Sequence, residues 1–365
     1  MPPIPTLGRA LGPAWAIDWE QPVTAQRGPF GIGIRGTGSF LPVAAVPNSV
    51  VAARAGVTDD WIVRKTRIRE RRYAAEHEAT SDLAVAAAAA ALADAAVEAT
   101  DLGWIVVATS TPDHPQPATA SLVQHRLGAT GAAAFDVNAV CSGFVYGLVV
   151  AAALLSADAT RAPRYGLVVG AEVYSRIIDP SDRRTAVLFG DGAGAVVLGP
   201  VRDGYGIVGS DLTGFGEHHD MIGVPAGGSR KPASEKTLAS GEHWFRMHGR
   251  AVRDFVASEL PAGIRRLLAA CDTAPDDVDH FVPHQANGAM LEDVVPLLGL
   301  PRARTHLTVA EHANTGAASV PLALDVARRG GLLGDGDTVL LAGFGGGMSI
   351  GTALVRWDAR ARSAR

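Results

Sequence analysis

The sequence predicts an α/β protein built twice from one plan, and three observations carry that reading. Short apolar, β-branched runs alternate with longer Ala- and Leu-rich runs, the pattern of strands separated by helices. The second half of the chain repeats the order and spacing of the first. Hydrophobic residues make up 47% and charged residues 19% of 365 positions, which supplies core enough for one large domain or two ordinary ones.

Residues 1–30 stand apart as an N-terminal extension. They carry six of the 22 prolines (Pro2, Pro3, Pro5, Pro13, Pro22 and Pro29), show no sustained period, and are expected to add little to the core. Ordered structure is expected from residue 31, in a strand that ends in a Gly-rich turn near Pro42. The run from Asp59 to Arg72 is basic, contains Arg64 and Lys65, and has Trp61 near its head. It reads equally as a solvated helix end or as a lip that grips phosphate. Thr80-Ser-Asp-Leu is expected to cap an Ala-rich helix reaching about Ala99. Further strands are expected at 104–109, 134–140, 166–170, 185–189, 193–198, 206–212, 280–283, 305–309, 338–342 and 350–356. Helices are expected at 142–157 and 249–270, after Asn287, and at 316–328.

In the repeated plan, 104–112 corresponds to 280–285 and 134–157 to 305–328. Likewise 166–171 corresponds to 338–343 and 193–199 to 351–357. The halves are taken as 31–200 and 201–365, with their strand-to-helix turns converging on one place.

Three polar stretches fall at those turns. Cys141 sits where strand 134–140 feeds the next helix. Free N–H groups and the helix dipole there favour an anion, so the thiol is expected to ionise below its reference of roughly 8.5. A buried, inert cysteine fits that stretch equally well. His284 follows a strand directly and is held beside Pro283. Asn314 lies in His312-Ala-Asn-Thr-Gly316, the counterpart of the Cys141 turn. Taken singly, His284 reads as a backbone-bonded core histidine and Asn314 as a cap. Together, a Cys, a His and an Asn form a nucleophile with a base or oxyanion donor and a second donor. Gly343-Phe-Gly-Gly-Gly347 is a fourth special turn, where an N–H can point at a developing oxyanion beside that of Cys141.

Other readings fall away on chemistry. Gly190-Asp-Gly-Ala-Gly-Ala195 spaces its glycines as GxGxG and leads into a strand, so the phosphate-on-helix device of a dinucleotide site is missing. His218-His-Asp220 is adjacent rather than spaced on one face, and no metal site is expected. A net charge of −4 argues against nucleic acid as a partner. Two cysteines, Cys141 and Cys271, fit a reducing cytoplasm. No membrane span is expected, since the run 83–99 is short and interrupted by Asp94 and Glu98.

The motifs Asp60-Trp61-Ile-Val, Val140-Cys141-Ser-Gly-Phe, Phe189-Gly-Asp-Gly-Ala-Gly, Val282-Pro-His284-Gln-Ala-Asn287, Asn314-Thr-Gly-Ala-Ala-Ser319 and Gly343-Phe-Gly-Gly-Gly-Met348 together resemble the β-ketoacyl-acyl carrier protein synthase III branch of the thiolase superfamily. The resemblance runs from about Gly31 to Trp357. Within that branch, residues 108–117 and 284–291 look most similar to bacterial acetoacetyl-CoA synthases. It implies a thiolase fold, five αβαβα layers with two mixed sheets. It also implies decarboxylative Claisen condensation of malonyl-CoA with an acyl-CoA starter, acetyl-CoA foremost, by a homodimer that needs no bound cofactor.

Residue by residue, the resemblance makes Cys141 the acyl acceptor and gives His284 and Asn314 the malonyl thioester carbonyl. Phe344 would favour loss of CO₂ by its apolar face, and Cys141 and Gly346 would supply the oxyanion-hole N–H groups. Trp61 would stack on adenine with Arg183 on the other side, Arg64 and Lys65 would add charge, and Asn287 would line the pantetheine tunnel. Departures are present. Ala289 stands where relatives carry a basic residue for carrier protein, which favours free malonyl-CoA. Arg67 replaces a common Gly, and Gln116 replaces a bulky aromatic that closes the acyl pocket across the dimer. Alternatives are a priming synthase using malonyl-acyl carrier protein, and an acyltransferase to a natural-product alcohol or amine. A non-catalytic partner subunit would lack the reactive Cys.

Overall fold

The computed structural model of the chain describes residues 26–28, 31–157 and 165–361. Its first sheet has five strands in the spatial order Ile32–Phe40, Gly192–Pro200, Tyr165–Glu172, Leu102–Ala108 and Ala133–Val137. The second sheet runs Gly206–Gly214, Ser349–Arg356, Thr338–Gly345, His280–Pro283 and Arg304–Thr305 in the same order. In both sheets the first two pairings are antiparallel and the last two parallel. Both sheets are therefore mixed and follow one topology, as the repeated order of the halves predicts.

Five layers result. Helices Thr80–Ala95 and Thr119–Leu127 cover the outer face of the first sheet through Leu83, Ala87, Ala91 and Val123. Helices Gly249–Ala270 and Gly288–Val294 cover the outer face of the second through Val256, Ile264, Leu267 and Leu291. Between the sheets lie Gly143–Ala157 and Ser319–Arg329, whose Phe144, Leu148, Val320 and Leu324 meet apolar residues of both sheets. A helix apolar on all sides belongs in such a middle layer. Residues 140–157 are long and apolar enough to cross a membrane by composition, a stretch the sequence reading passed over; here they pack into the layer between the sheets.

Several local expectations are corrected. The extension is not wholly outside the fold, since Gln26–Arg27 pairs antiparallel with Ser210 and Gly209 at the edge of the second sheet. Residues 1–25 and 29–30 lie outside the described residues. The helix read as capped by Thr80 has Ala79 at its cap position, with Asp82 Oδ2 accepting the Ala79 N–H at 2.7 Å. It stops at Ala95, because Ala96 turns left-handed at φ 53°. Residues 185–188 are turns rather than a strand, and Phe189 keeps only an isolated parallel bridge to Asn314. Their apolar side chains are buried against Ile62, Tyr174 and Phe245, and Arg71 donates to the Val187 carbonyl at 2.9 Å in place of a ladder partner. The strand expected at 305–309 ends after Thr305. The Gln285 side chain donates to His306 O and accepts from the Thr308 and Val309 N–H groups, so a side chain replaces the neighbouring strand.

Candidate active site

The turns that follow parallel strands of both sheets border one cavity of about 460 Å³, and Cys141, His284, Asn314 and Phe344 all line it. Strand Ala133–Val137 and helix Gly143–Ala157 are joined through the tight turn Val140–Ser142. Val140 takes φ 46° there, a left-handed conformation costly for a β-branched residue. The turn is pinned from below: Ser142 Oγ donates to Ala139 O at 2.7 Å and meets Ser349 Oγ at 2.7 Å. From above it meets the glycine turn, where a Cβ on Gly345 would lie 2.7 Å from Cys141 N. Only glycine lets the two backbones approach so closely. Gly345 borders the cavity; Gly346, the residue expected as oxyanion donor, follows it, and a Cβ there would meet Ile222 at 3.1 Å and Val140 at 3.3 Å.

The Cys141 thiol is 7% exposed. Burial pushes it up, and the Glu172 carboxyl adds to the effect, while its own N–H and the Tyr174 hydroxyl act the other way. The expectation of an easily ionised thiol is thus corrected. Dehydration outweighs the donors of the turn, and the resting sulfur is protonated.

His284 is held by its N–H, which donates to Ala342 O at 2.7 Å, and by Nδ1, 2.7 Å from Ser319 Oγ. Ser319 Oγ accepts the Gln285 N–H at 3.3 Å, so its own proton is free for Nδ1. When Ser319 gives that proton to Nδ1, the ring proton sits on Nε2 and the ring is a donor on its other side. Burial lowers His284 to about 3, which keeps the ring neutral. Phe344 stands edge-on to it, with ring centroids 5.1 Å apart at 71°. Asn314 has Oδ1 committed to the Gly316 N–H at 2.9 Å and one amide proton to Ala286 O at 3.3 Å. Its other amide proton has no partner among the described residues. Its backbone is tied to the 185–189 turn, the Asn314 N–H reaching Leu188 O at 2.9 Å.

The outer cavity is lined by Trp61, Arg64, Lys65, Arg183 and Asn287, all expected there. Helix Asp59–Thr66 presents the first three, with Thr58 Oγ1 accepting the Trp61 N–H at its start. Asn287 does double duty, since its Oδ1 also caps helix Gly288–Val294 and its amide donates to Lys65 O. Arg67 ends the Trp61 helix at φ 62°, the conformation that glycine takes most easily, and pairs with Glu292. It is therefore a clasp between two helices of the mouth rather than a free cation. Gln116 does not join the others: it is exposed on the loop after strand Leu102–Ala108 and does not border the cavity of its own chain.

Two residues escaped the sequence reading. Glu172 ends strand Tyr165–Glu172, fully buried, and accepts from Ser110 and Thr111. Tyr174 lies two residues on, with its hydroxyl 2.9 Å from Ser110 Oγ and its ring stacked on Phe189. The available signal was a lone carboxylate closing an apolar strand at the edge where the other turns converge.

Residues 135–216 match the family 3-oxoacyl-(acyl-carrier-protein) synthase III, and residues 268–357 match its C-terminal counterpart. The acetoacetyl CoA synthase NphT7 of a Streptomyces species is 54% identical over 328 residues, 89% of this chain and 98% of that one. The β-ketoacyl-(acyl-carrier-protein) synthase III of Rhodospirillum rubrum is 48% identical over 329 residues, 88% of this chain and 98% of its own. Among solved structures, the 3-oxoacyl-(acyl carrier protein) synthase III of Pseudomonas aeruginosa superposes with a TM-score of 0.80 at 39% identity, covering 90% of this chain and 98% of that one. A priming β-ketosynthase from a polyketide pathway superposes at 0.83 with 31% identity, covering 92% and 99%.

Proposed function

The chain belongs to the 3-oxoacyl-(acyl-carrier-protein) synthase III family and is a condensing acyltransferase of the ketosynthase III type, and on that premise we propose that it condenses malonyl-CoA with an acyl-CoA starter. Acetyl-CoA is the foremost starter, giving acetoacetyl-CoA through acyl-Cys141. The observation that carries this reading is the meeting of a thiol, a neutral imidazole and an amide in one cavity whose outer part is lined by Trp61 and cations.

Cys141 Sγ attacks the starter thioester, and the N–H groups of Cys141 and Gly346 hold the oxyanion as CoA leaves. Malonyl-CoA then binds with its thioester carbonyl against His284 Nε2–H and the free Asn314 amide proton. Its carboxylate lies toward Phe344, where an apolar ring raises the ground state more than the dispersed charge of the transition state. CO₂ departs, and the two donors hold the enolate oxygen in a dry site where each bond is strong. The enolate carbon attacks the acyl-Cys carbonyl, the Cys141 thiolate leaves, and the new carbon–carbon bond is made. Trp61 stacks on adenine with Arg183 on its other side, and Arg64 and Lys65 meet the phosphates.

The relatives named as acyl carrier protein synthases favour a second reading, in which the malonyl group arrives on a carrier protein. Ala289 speaks for free CoA, as do Arg67 and Arg253, which are committed to Glu292 and Asp293 at the mouth. A homodimer in a reducing cytoplasm belongs to the same proposal, with Gln116 reaching the partner's acyl pocket. Purified protein given acetyl-CoA with malonyl-CoA should release CO₂ and yield acetoacetyl-CoA by mass spectrometry, and malonyl-carrier protein should serve poorly. Turnover with carrier protein alone overturns the CoA reading. Transfer to an alcohol or amine without CO₂ overturns condensation.

A further inference from the structure

The run Gly190-Asp-Gly192, no dinucleotide site in this chain, carries a carboxylate for which the condensation above has no task. Asp191 has none of its surface exposed. Its side chain collects three donors. Oδ1 accepts the Ser175 N–H at 2.9 Å, and Oδ2 accepts the Ala74 N–H at 2.8 Å and the Ser175 hydroxyl at 2.5 Å. The Asp191 N–H itself donates to Arg72 O at 2.8 Å. One residue thus joins the run after strand Glu70–Arg72, the turn after strand Tyr165–Glu172 and the start of strand Gly192–Pro200.

The residues just before Asp191 carry Asn314. The Asn314 N–H donates to Leu188 O at 2.9 Å, and the Gly190 N–H donates to Asn314 O at 3.0 Å. Phe189, between them, makes the isolated parallel bridge to Asn314. Glycine is needed at 190, because a Cβ there would lie 2.8 Å from His312 O and 3.1 Å from the Arg71 Cβ. Beyond its side-chain bonds to Gly316 and Ala286, Asn314 is therefore placed by a two-bond backbone clamp, and Asp191 is the anchor at the end of that clamp.

From this geometry we infer that Asp191 is a positioning residue for the malonyl half of the reaction, fixing the 188–190 segment and through it the Asn314 amide. The inference rests on the reading that Asn314 holds the malonyl thioester carbonyl. Cys141 and His284 are held by other contacts. The Cys141 turn is pinned through Ser142, Ser349 and Gly345, and His284 through Ala342 and Ser319. Asp191 makes no hydrogen bond to any of these among the described residues. A shift of the 188–190 segment should move one donor of the enolate and leave the acyl acceptor in place.

A carboxylate is the group that these three donors require. Ionised, it only accepts, and it meets each donor with a lone pair. Burial pushes Asp191 up, while the Ser175 and Ala74 donors and the Arg176 charge act the other way. An amide of the same shape has an NH₂ in place of one oxygen. Either orientation sets that NH₂ against a backbone N–H, of Ser175 or of Ala74, and leaves donors without an acceptor.

The test measures the two half-reactions apart: CoA release from acetyl-CoA alone, and CO₂ release from malonyl-CoA on acetylated enzyme. In Asp191→Asn, CO₂ release should fall at least about 10-fold, within the roughly 10²-fold that a misplacement of about 1 Å costs. The fall should appear in kcat, with the KM for malonyl-CoA and the rate of acetylation close to wild type. Ser175→Ala removes one donor and keeps the carboxylate. It should show the same split with a smaller fall, and it carries the test if Asp191→Asn does not fold. Equal losses in both half-reactions would mark general damage to the fold and overturn the inference. Unchanged CO₂ release in Asp191→Asn, or in Ser175→Ala where that variant stands alone, overturns it too. Asn314→Ala separates these outcomes from failure of the underlying reading, because wild-type CO₂ release in that variant removes Asn314 itself from the enolate site.

Discussion

With 2% of its surface exposed, His284 has exchanged water for Ser319, Phe344 and the backbone, and burial holds it near 3. The sign matters for activity. A histidine lowered this far gains no proton between about pH 8 and about pH 5, so its Nε2–H stays a neutral donor throughout. The rate at which malonyl-CoA loses CO₂ on acylated enzyme should accordingly be flat across that range. A fall with an apparent pKa near 6.5 would show an imidazole that titrates in the site. At this scale Cys141, His284 and Asn314 were legible because each is an unusual residue at a strand-to-helix turn. Glu172 and Tyr174 were not, since a single carboxylate after an apolar strand forms no pattern until the fold puts Ser110 and Thr111 beside it. Gln116 was assigned from resemblance alone, and its own chain leaves it at the surface.

At the scale of elements, the site depends on places where backbone pairing gives way to something else. Gly345 is one of them. Gly345→Ala puts a methyl group 2.7 Å from Cys141 N, the N–H proposed above to hold an oxyanion. Acylation should drop at least about 10²-fold, as for loss of an oxyanion donor; wild-type acylation in this variant would place the hole elsewhere. Arg71 is another. Fully buried, it donates to Asn48 Oδ1 at 2.7 Å and to Val187 O at 2.9 Å, holding the 185–189 turn that backs the cavity. Arg71→Met leaves both acceptors buried and unpaired and should lower stability by about 2–5 kcal/mol in denaturant unfolding; an unchanged midpoint would mean that solvent reaches the turn. Both the 185–189 turn and the short strand at Arg304–Thr305 misled sequence reasoning for one reason. Apolar composition reports burial, whereas a ladder also needs a neighbouring strand, and here Arg71 and Gln285 take that neighbour's place.

On the scale of the whole molecule, the two sheets share one strand order, and their middle layer of two helices brings equivalent turns together. The duplicated plan was readable because order and spacing survive where identity does not. The edge strand Gln26–Arg27 was not readable, since two residues carry no period. Convergence of the turns is what turns an ordinary buried thiol into one wall of a cavity shared by both halves, and the account stands on that thiol receiving an acyl group. Intact-protein mass spectrometry after mixing with acetyl-CoA tests this directly. The protein should gain the mass of one acetyl group, carried on the peptide containing Cys141, and lose it when malonyl-CoA is added. Cys141→Ala protein should gain nothing. An unacetylated wild-type protein that still forms product, or an acetyl group on another residue that malonyl-CoA discharges, would contradict it.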